Sequence, residues 1–325
     1  MGVSVKILST RSSGPPDSRR PRPVPATLPV MRRVLAVVVL LSAATEAHAA
    51  FPERVSVLAM DDFDGANTEV ASGDDYVAAG WSQVVLELGS TIANKPGGPA
   101  RTLGVSGFHV GVSNTLGFIR TGSIDTINPS GWDLADPDED PLPVLFVPQL
   151  QVRKGLPASL EIGANVGWIG MSETATLGAY GRWGLIEGYR YLPDLSIQLG
   201  YVGYVGNDEV ELGVMDFSTN LGYTLPFGPV AGINVSKFSP FVSLGFQRIH
   251  AAPRANLSST GLDERVVEVT GFDDTEQDAK FNATYAPFAL SGGFEIQSGD
   301  FTLDLSGGWA VGGAPAVNTG FGFTY

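Results

Sequence analysis

The last ten residues of the chain, Ala316 to Tyr325, read Ala-Val-Asn-Thr-Gly-Phe-Gly-Phe-Thr-Tyr. Apolar or aromatic side chains alternate here with small or polar ones, so Phe321, Phe323 and Tyr325 share one face. A period of two is typical of an extended strand, because successive side chains of a strand point to opposite faces. A soluble protein rarely has three aromatics in its last five residues, since termini fray and an exposed apolar row promotes aggregation. The pattern therefore predicts a terminal strand whose aromatic face has an unusual environment.

This ending resembles the C-terminal strand of bacterial outer-membrane β-barrels, in which the terminal aromatic and the alternating apolar residues are recognised by the barrel-assembly machinery. The resemblance covers the ten residues quoted above. It implies that Phe321, Phe323 and Tyr325 form an assembly signal. It also implies that the partners of the protein are this machinery, outer-membrane lipid and lipopolysaccharide. The resemblance is to small single-chain barrels as a broad class and implies no particular activity.

The first 49 residues divide into two parts. Residues 1–30 are rich in Pro, Arg and Ser and have no apolar period, which predicts a disordered segment or an extension from a start assigned too early. Residues 31–49 contain an arginine pair, an apolar run from Val34 to Leu41 and a small-residue site ending at Ala49, the pattern of a secretory signal peptide. The run is shorter than the roughly 20 residues that span a bilayer. We therefore predict export to the cell outer membrane, with cleavage after Ala49.

Residues 50–101 are predicted to form a periplasmic segment before the barrel. Residues 61–67 are similar to a calcium loop, but they lack the bidentate Glu at the required spacing, which favours a solvated linker. Between Trp81 and Ala93 the apolar residues Val84, Leu88 and Ile92 fall on one helical face. This spacing predicts a short helix that precedes or plugs the barrel, and a further strand remains the alternative.

From residue 102 to residue 325 the period of two returns and persists. Ten strands are predicted, near 103–119, 143–153, 159–169, 174–185, 194–205, 209–223, 240–250, 281–297, 300–311 and 316–325. One-residue slips in phase at Val214-Met215 and Pro287-Phe288 predict β-bulges. The fold class is therefore all-β, a transmembrane up-and-down antiparallel barrel of about ten strands, with eight or twelve as alternatives.

The alternation alone does not separate a membrane barrel from a soluble sandwich, because both have one apolar face on each strand. The predicted export signal, the terminal signature and the aromatic residues near strand ends favour the membrane. An even number of strands places both ends of the barrel on the periplasmic side. The two longest links, from Arg120 to Leu142 and from Ala251 to Lys280, are then both extracellular.

Composition excludes several functional classes. The chain has 41 glycines, no cysteine and a net charge of -14. Disulfides and thiolate metal sites are therefore excluded, and the acidic surface would repel nucleic acid. The sequence contains no P-loop, dinucleotide-binding fingerprint or His-Glu-x-x-His motif. We assign no catalytic residue, no metal ligand and no cofactor.

The predicted lumen of the barrel is charged near its periplasmic end. A tight turn after Gly170 places Glu161 opposite Arg182, and a turn centred near Leu156 places Gln151 opposite Glu161 with Arg153 one step away. Glu295 and Asp304 also point inward near this end. The five charges Arg153, Glu161, Arg182, Glu295 and Asp304 either form a constriction that selects or gates ions, or form an ion-pair network that fills the lumen and fixes strand register.

Three functions follow, in decreasing order of support. The first is a narrow pore or transport channel for small solutes. The second is a structural or surface-interaction barrel with an occluded lumen and acidic extracellular loops, whose carboxylates favour solvated surface over calcium binding. These acids are Asp133, Asp136, Asp138, Glu139 and Asp140 in one loop and seven residues between Asp263 and Asp278 in another. The third is an outer-membrane hydrolase, since His250 is predicted near the outer mouth and His109 on an inward face.

Overall fold

The computed structural model describes the barrel and part of the segment before it. The described residues are 55, 73–95, 98–122, 130–135, 141–170, 172, 174–189, 191–207, 209–228, 236–253 and 283–325. Four predictions concern residues outside this set, namely the extension 1–30, the signal peptide 31–49, the calcium-like stretch 61–67 and most of the acidic loop residues.

Twelve strands and two helices occur in these residues. The strands are β1 Phe108–Phe118, β2 Val144–Leu156, β3 Leu160–Trp168, β4 Ala175–Ile186, β5 Asp194–Val205, β6 Val210–Gly222, β7 Leu225–Phe227, β8 Ser236–Pro253, β9 Ala283–Tyr285, β10 Phe288–Ser298, β11 Phe301–Ala310 and β12 Ala316–Thr324. The helices are α1 Gly73–Ile92 and α2 Gly131–Ala135. Neither helix combines the length and the hydropathy that crossing a membrane requires, a finding that concerns the described residues only.

Ten of the strands close into an antiparallel ring. Neighbouring strands pair in chain order, β6 pairs with β8, β8 with β10, and β12 returns to β1, while β7 and β9 are short strands that pair with β8 outside the ring. At the closure, Phe108 and Tyr325 exchange both backbone hydrogen bonds, with N···O distances of 3.0 and 2.8 Å. Closure pairs the terminal strand on both sides and leaves no bare edge. The predicted ten-stranded barrel is confirmed, and the alternatives of eight and twelve strands are wrong.

The outer face of the ring is apolar. In β3, Val166 is 54% exposed and Trp168 58%, whereas the intervening Asn165 is 8% exposed. The same alternation runs through β4 and β5. A soluble barrel would bury its large apolar rows and expose its polar ones. The inverted arrangement is that of a transmembrane β-barrel, in which the apolar band faces lipid.

Neither predicted bulge is present. Val214 pairs with Val202 and Met215 with Tyr201, without a slip. The sequence suggested a slip because Val214 points inward into an apolar region of the lumen, where a polar side chain was expected. Around Pro287 the strand is interrupted but gains no residue, since β9 and β10 keep one register along β8. The register shift that does occur lies in β4, between Gly184 and Ile186.

The two ends of the barrel differ in their connections. We call the end that carries Phe108 and Tyr325 the terminal end and the opposite end the loop end. Most connections at the terminal end are short, such as residues 157–159 between β2 and β3 and residues 299–300 between β10 and β11, and the longest, residues 223–235 between β6 and β8, contains β7. The loop end carries the long links that follow β1 and β8. Long extracellular loops and short periplasmic turns are typical of outer-membrane barrels.

Candidate functional site

Helix α1 enters the barrel from the loop end. Its later turns contact β1, β2, β6 and β8 from the lumen side, its first described turns lie against α2 and the link after β1, and its side chains Val84, Val85 and Leu88 are almost fully buried. Of the two positions that the sequence left open for a helix in the segment 50–101, before the barrel or as a plug, the described residues show the plug. A strand, the alternative for residues 81–93, does not form there.

The half of the lumen nearest the loop end is filled by an apolar core. From α1, the side chains of Trp81, Val84, Leu88 and Ile92 are 1–2% exposed. The barrel wall contributes inward apolar residues to the same cluster, which are Leu145, Val147, Val202, Val210, Leu212, Val214 and Ile249. Burial of a large apolar side chain stabilises a fold by about 1.5–3 kcal/mol. The core therefore holds α1 firmly in place.

Glycines allow α1 to lie close against the wall. A Cβ atom at Gly117 of β1 would collide with Thr91, and one at Gly313 would collide with Ser90. Ser90 Oγ also accepts a hydrogen bond from the Ala314 backbone amide at 3.0 Å. These contacts join α1 directly to β1 and to the link before β12, and a cavity of about 40 Å³ lies beside Ser90 on the side of β8, β10 and β11.

A buried carboxylate ties α1 to the loop end, in a group that we call the loop-end latch, Glu87, Arg120 and Trp132. Glu87 accepts hydrogen bonds from Arg120 Nε at 2.6 Å, from the Arg120 backbone amide at 3.1 Å and from Trp132 Nε1 at 2.8 Å. Hydrogen bonds to a charged acceptor are roughly twice as strong as neutral ones. The latch therefore fixes α1 to the link between β1 and β2.

Polar side chains take over where α1 ends, near the middle of the lumen. Asn94 Nδ2 donates to Asp216 Oδ2 at 3.1 Å, and Asn165 Nδ2 donates to Asn94 Oδ1 at 2.8 Å. Lys95 Nζ donates to the Thr91 carbonyl at 2.6 Å, as basic residues near a helix C-terminus often do. The chain thus leaves the apolar core through a fully buried amide and carboxylate layer.

The five charges predicted for the lumen meet near the terminal end. Glu161 lies directly across from Arg182, with Oε1 and Nη1 3.6 Å apart. Arg153 Nη2 lies 3.8 Å from Glu295 Oε2, and Glu295 pairs across strands with Asp304. We call these residues the terminal-end charge network. Four of the five are buried, and Asp304 is half-buried.

The register between β2 and β3 differs from the prediction. Gly155, not Gln151, lies opposite Glu161. The turn is centred farther along the chain than expected, because Ala158 and Ser159 adopt left-handed conformations with φ of 61° and 54°. Non-glycine residues rarely take these angles, so the residue types here did not indicate a turn at this position.

The terminal-end charge network contacts the residues that follow α1 on the way to the terminal end. Arg182 Nη1 donates to the Pro99 carbonyl at 3.1 Å, and Glu161 Oε2 accepts a hydrogen bond from the Leu103 amide at 3.0 Å. Gly98 lies so close to the Arg153–Glu295 pair that a Cβ atom there would be 2.9 Å from Arg153 Nη1. The charges therefore surround a polypeptide rather than an open passage.

A polar cavity of about 530 Å³ remains at the terminal end. Its lining includes Arg101, Arg153, Lys237, Glu295, Asp300 and Tyr325. The cavity lies on the terminal-end side of the descending chain, so it forms a vestibule that ends at the charge network.

The two histidines are far apart. His109 is buried at the terminal end, where its Nδ1 lies 2.9 Å from Thr324 Oγ1. His250 is exposed on the outer face near the loop end, with Nδ1 3.0 Å from Thr284 Oγ1. Within the described part of the chain, no group of three or more His, Asp or Glu side chains is arranged to hold a metal ion.

The residues of the predicted assembly signal lie on the outer face at the terminal end. Phe323 contacts Phe301 edge to face, with ring centroids 6.0 Å apart. Phe321 lies between Val112 of β1 and Leu303 of β11, and Tyr325 is largely exposed.

Sequence reasoning left the location of α1 open between a segment before the barrel and a plug. A signal for it was present in the inward positions of β5 and β6, where Val202, Val210, Leu212 and Val214 are apolar. An apolar inward row next to an apolar outward row indicates that the lumen contains an apolar partner.

No protein-family model and no curated protein sequence matches the chain. Among solved structures, Ail, the attachment invasion locus protein of Yersinia pestis, is 9% identical, with 68% of this chain and 99% of that chain covered and a TM-score of 0.26. The KdgM porin is 5% identical, with 67% and 99% covered and a TM-score of 0.27. The outer membrane protein Omp33 of Acinetobacter baumannii is 10% identical, with 69% and 100% covered and a TM-score of 0.25.

Likeness at this level carries no weight in assigning the fold. The assignment depends on the ring of ten strands, closed without an edge, and on the apolar rows that face outward. These are the properties of an outer-membrane β-barrel.

Proposed function

We propose that the protein is a non-conducting barrel of the outer membrane, with a structural or surface-interaction role that its loop end performs. The observation that carries this proposal is the position of α1 across the loop end of the lumen, where the side chains Trp81, Leu88 and Ile92 are 1–2% exposed. A barrel whose own helix closes this end has its free surface at the loops and on the lipid-facing wall.

The physical chemistry of the lumen supports occlusion. An ion that crosses the barrel must leave water, and desolvation in an apolar region is costly unless polar groups replace the water. The core around Val84 and Leu88 is apolar, and the buried polar side chains beside it, Glu87, Ser90 and Thr91, are hydrogen-bonded within the protein. Farther along, Glu161 and Arg182 are bonded to Leu103 and Pro99 of the descending chain. These charges are better suited to an ion-pair network that positions the segment than to a selectivity filter.

A narrow pore for small solutes, the leading prediction from sequence, remains a prediction, and the buried helix counts against it. We do not propose an enzyme, since neither His109 nor His250 hydrogen-bonds a carboxylate among the described residues. The export by residues 31–49, the recognition of Phe321, Phe323 and Tyr325 by the assembly machinery, and the contacts with lipid and lipopolysaccharide are part of the proposal.

Single-channel recording tests this function. Purified protein reconstituted in planar bilayers is expected to insert without unitary current steps, because α1 closes the lumen. A variant without residues 73–103, which lacks both α1 and the chain that is bonded to Glu161 and Arg182, is expected to produce steps, which shows that insertion and detection work. Stable ohmic steps from the wild-type protein would contradict the proposal.

A further inference from the structure

We infer that the chain passes through its own barrel from the loop end to the terminal end, so that the first turns of α1 and Tyr325 lie on opposite sides of the membrane. The inference rests on the occluded barrel proposed above and adds a topology to it. The start of α1 would then face the cell surface, while the C-terminal strand ends at the periplasm.

The early residues of α1 contact the loop end. The Gly80 carbonyl is packed so closely against Gly131 of α2 that a Cβ atom at Gly131 would overlap it. Gln83 Nε2 donates to the Arg120 carbonyl at 2.8 Å, beyond the end of β1. Ser82 Oγ lies 2.5 Å from the hydroxyl of Tyr285 in β9. Three separate elements of the loop end therefore surround the first described turns of the helix.

The residues after α1 descend steadily toward the terminal end. Asn94 reaches Asp216 in the middle of β6, and Gly98 reaches Arg153 three residues before the end of β2. Thr102 Oγ1 then donates to Glu187 Oε2 at 3.1 Å, in the turn between β4 and β5. The direction of the chain inside the lumen is thus fixed from loop end to terminal end, where β1 begins.

A contact made by a residue that precedes α1 in the sequence indicates the same direction of the chain. Asn207 Nδ2, in the connection between β5 and β6, donates to the Val55 carbonyl at 3.0 Å. Val55 is buried in the apolar core of the loop-end half. A residue well before the helix is therefore held at the loop end, which is where a chain that enters the lumen from that side must be.

The connection lengths assign the loop end to the outside. Outer-membrane barrels carry short turns on the periplasmic side and longer loops on the extracellular side. Here the links after β1 and β8 at the loop end, residues 119–143 and 254–282, are longer than the longest connection at the terminal end, residues 223–235 between β6 and β8. The start of α1, at the loop end, is therefore on the extracellular side.

Cysteine labelling tests the topology, because the chain has no native cysteine. The probe is Ala79→Cys, at an exposed position of α1 beside the loop end. Gly122→Cys, exposed in the link after β1, marks the loop end, and Ser106→Cys, exposed just before β1, marks the terminal end. Intact cells that display each variant are treated with a membrane-impermeant maleimide, before and after the outer membrane is permeabilised.

The topology predicts that Ala79→Cys and Gly122→Cys react on intact cells, whereas Ser106→Cys reacts only after permeabilisation. Heat-modifiable migration in gels confirms that each variant is folded. Reaction of Ala79→Cys only together with Ser106→Cys would overturn the inference. Channel recording remains independent, since a barrel can be occluded with either topology.

Discussion

The two halves of the lumen hold the same segment by opposite means. The loop-end half surrounds α1 with an apolar core that includes Trp81 and Leu88, as in the interior of a soluble protein. The terminal-end half holds residues 98–103 with buried charges, chiefly Glu161 and Arg182. Both halves have the same apolar exterior, so the difference is confined to the inside. Apolar burial is non-directional, so it stabilises the segment without fixing its exact position. Charged hydrogen bonds depend on geometry, so they hold the segment at a defined position.

The largest effect is expected from truncation in the loop-end half. Trp81→Ala removes a side chain that is 1% exposed and leaves a cavity in the apolar core. Truncation of a buried Trp costs about 3–5 kcal/mol of the free energy of unfolding. Urea unfolding in detergent, followed by circular dichroism, measures the loss. Trp168→Ala on the outer face is the control, and an equal loss in both variants would contradict the assignment of a core.

The next effect concerns the charge network. Glu161→Gln keeps an acceptor for the Leu103 amide but leaves the buried Arg182 without its carboxylate. Loss of the charged partner of a buried group lowers the free energy of unfolding by about 2–3 kcal/mol. The double variant Glu161→Gln/Arg182→Gln should lose less than the sum of the two single variants. Strict additivity in the same urea measurement would show that the two residues are not coupled.

Gly98→Ala tests whether the terminal-end charge network packs closely around the residues that follow α1. The added methyl group meets Arg153 Nη1 and Glu295 Oε2, so the network must open to accommodate it. Overpacking of this kind costs about 1–2 kcal/mol. Gly181→Ala is a matched control, because a Cβ atom there has no neighbour within 4 Å. A neutral Gly98→Ala would mean that the chain does not pass between these charges.

The smallest effect on global stability is expected at the loop-end latch. Glu87→Gln weakens the bond to Arg120, whose side chain is 69% exposed and screened by solvent. Because the Glu87 carboxylate itself is buried, we expect a loss of about 1 kcal/mol in the free energy of global unfolding. Hydrogen exchange should nevertheless accelerate in α1 while the ring strands stay protected. Uniform acceleration across β1 and β12 would contradict a local role for the latch.

The barrel could be predicted from sequence because lipid imposes a simple pattern. Every strand of the ring must present apolar residues outward, so rows such as Leu160, Ile162 and Val166 alternate clearly and place the strands within a few residues. The facing of Glu161 and Arg182 also followed, since the turn after Gly170 is short.

The arrangement of residues inside the lumen could be predicted less well than the strands. The lumen, unlike the outer face, is not in contact with one solvent throughout. The polarity of an inward-facing side chain therefore depends on the segment or solvent that it contacts. Val214 pointed inward next to an outward Met215, and this pair looked like a bulge because the apolar partner, α1, was not placed. The helix itself was visible from the spacing of Val84, Leu88 and Ile92, but spacing within a helix does not say which surface covers it.

Engineered disulfide formation tests the central claim, that α1 occupies the lumen, most directly. A Cβ atom at Gly117 of β1 lies 3.1 Å from Thr91 Cβ of α1, which is within reach of a disulfide after a small shift. Thr91→Cys/Gly117→Cys is expected to cross-link nearly completely in the folded barrel under mild oxidation, whereas Thr91→Cys/Ser106→Cys, with its second cysteine at the terminal end, is expected to stay reduced. Failure of the first pair to cross-link in protein that migrates as a folded barrel would contradict the placement of α1 inside the ring.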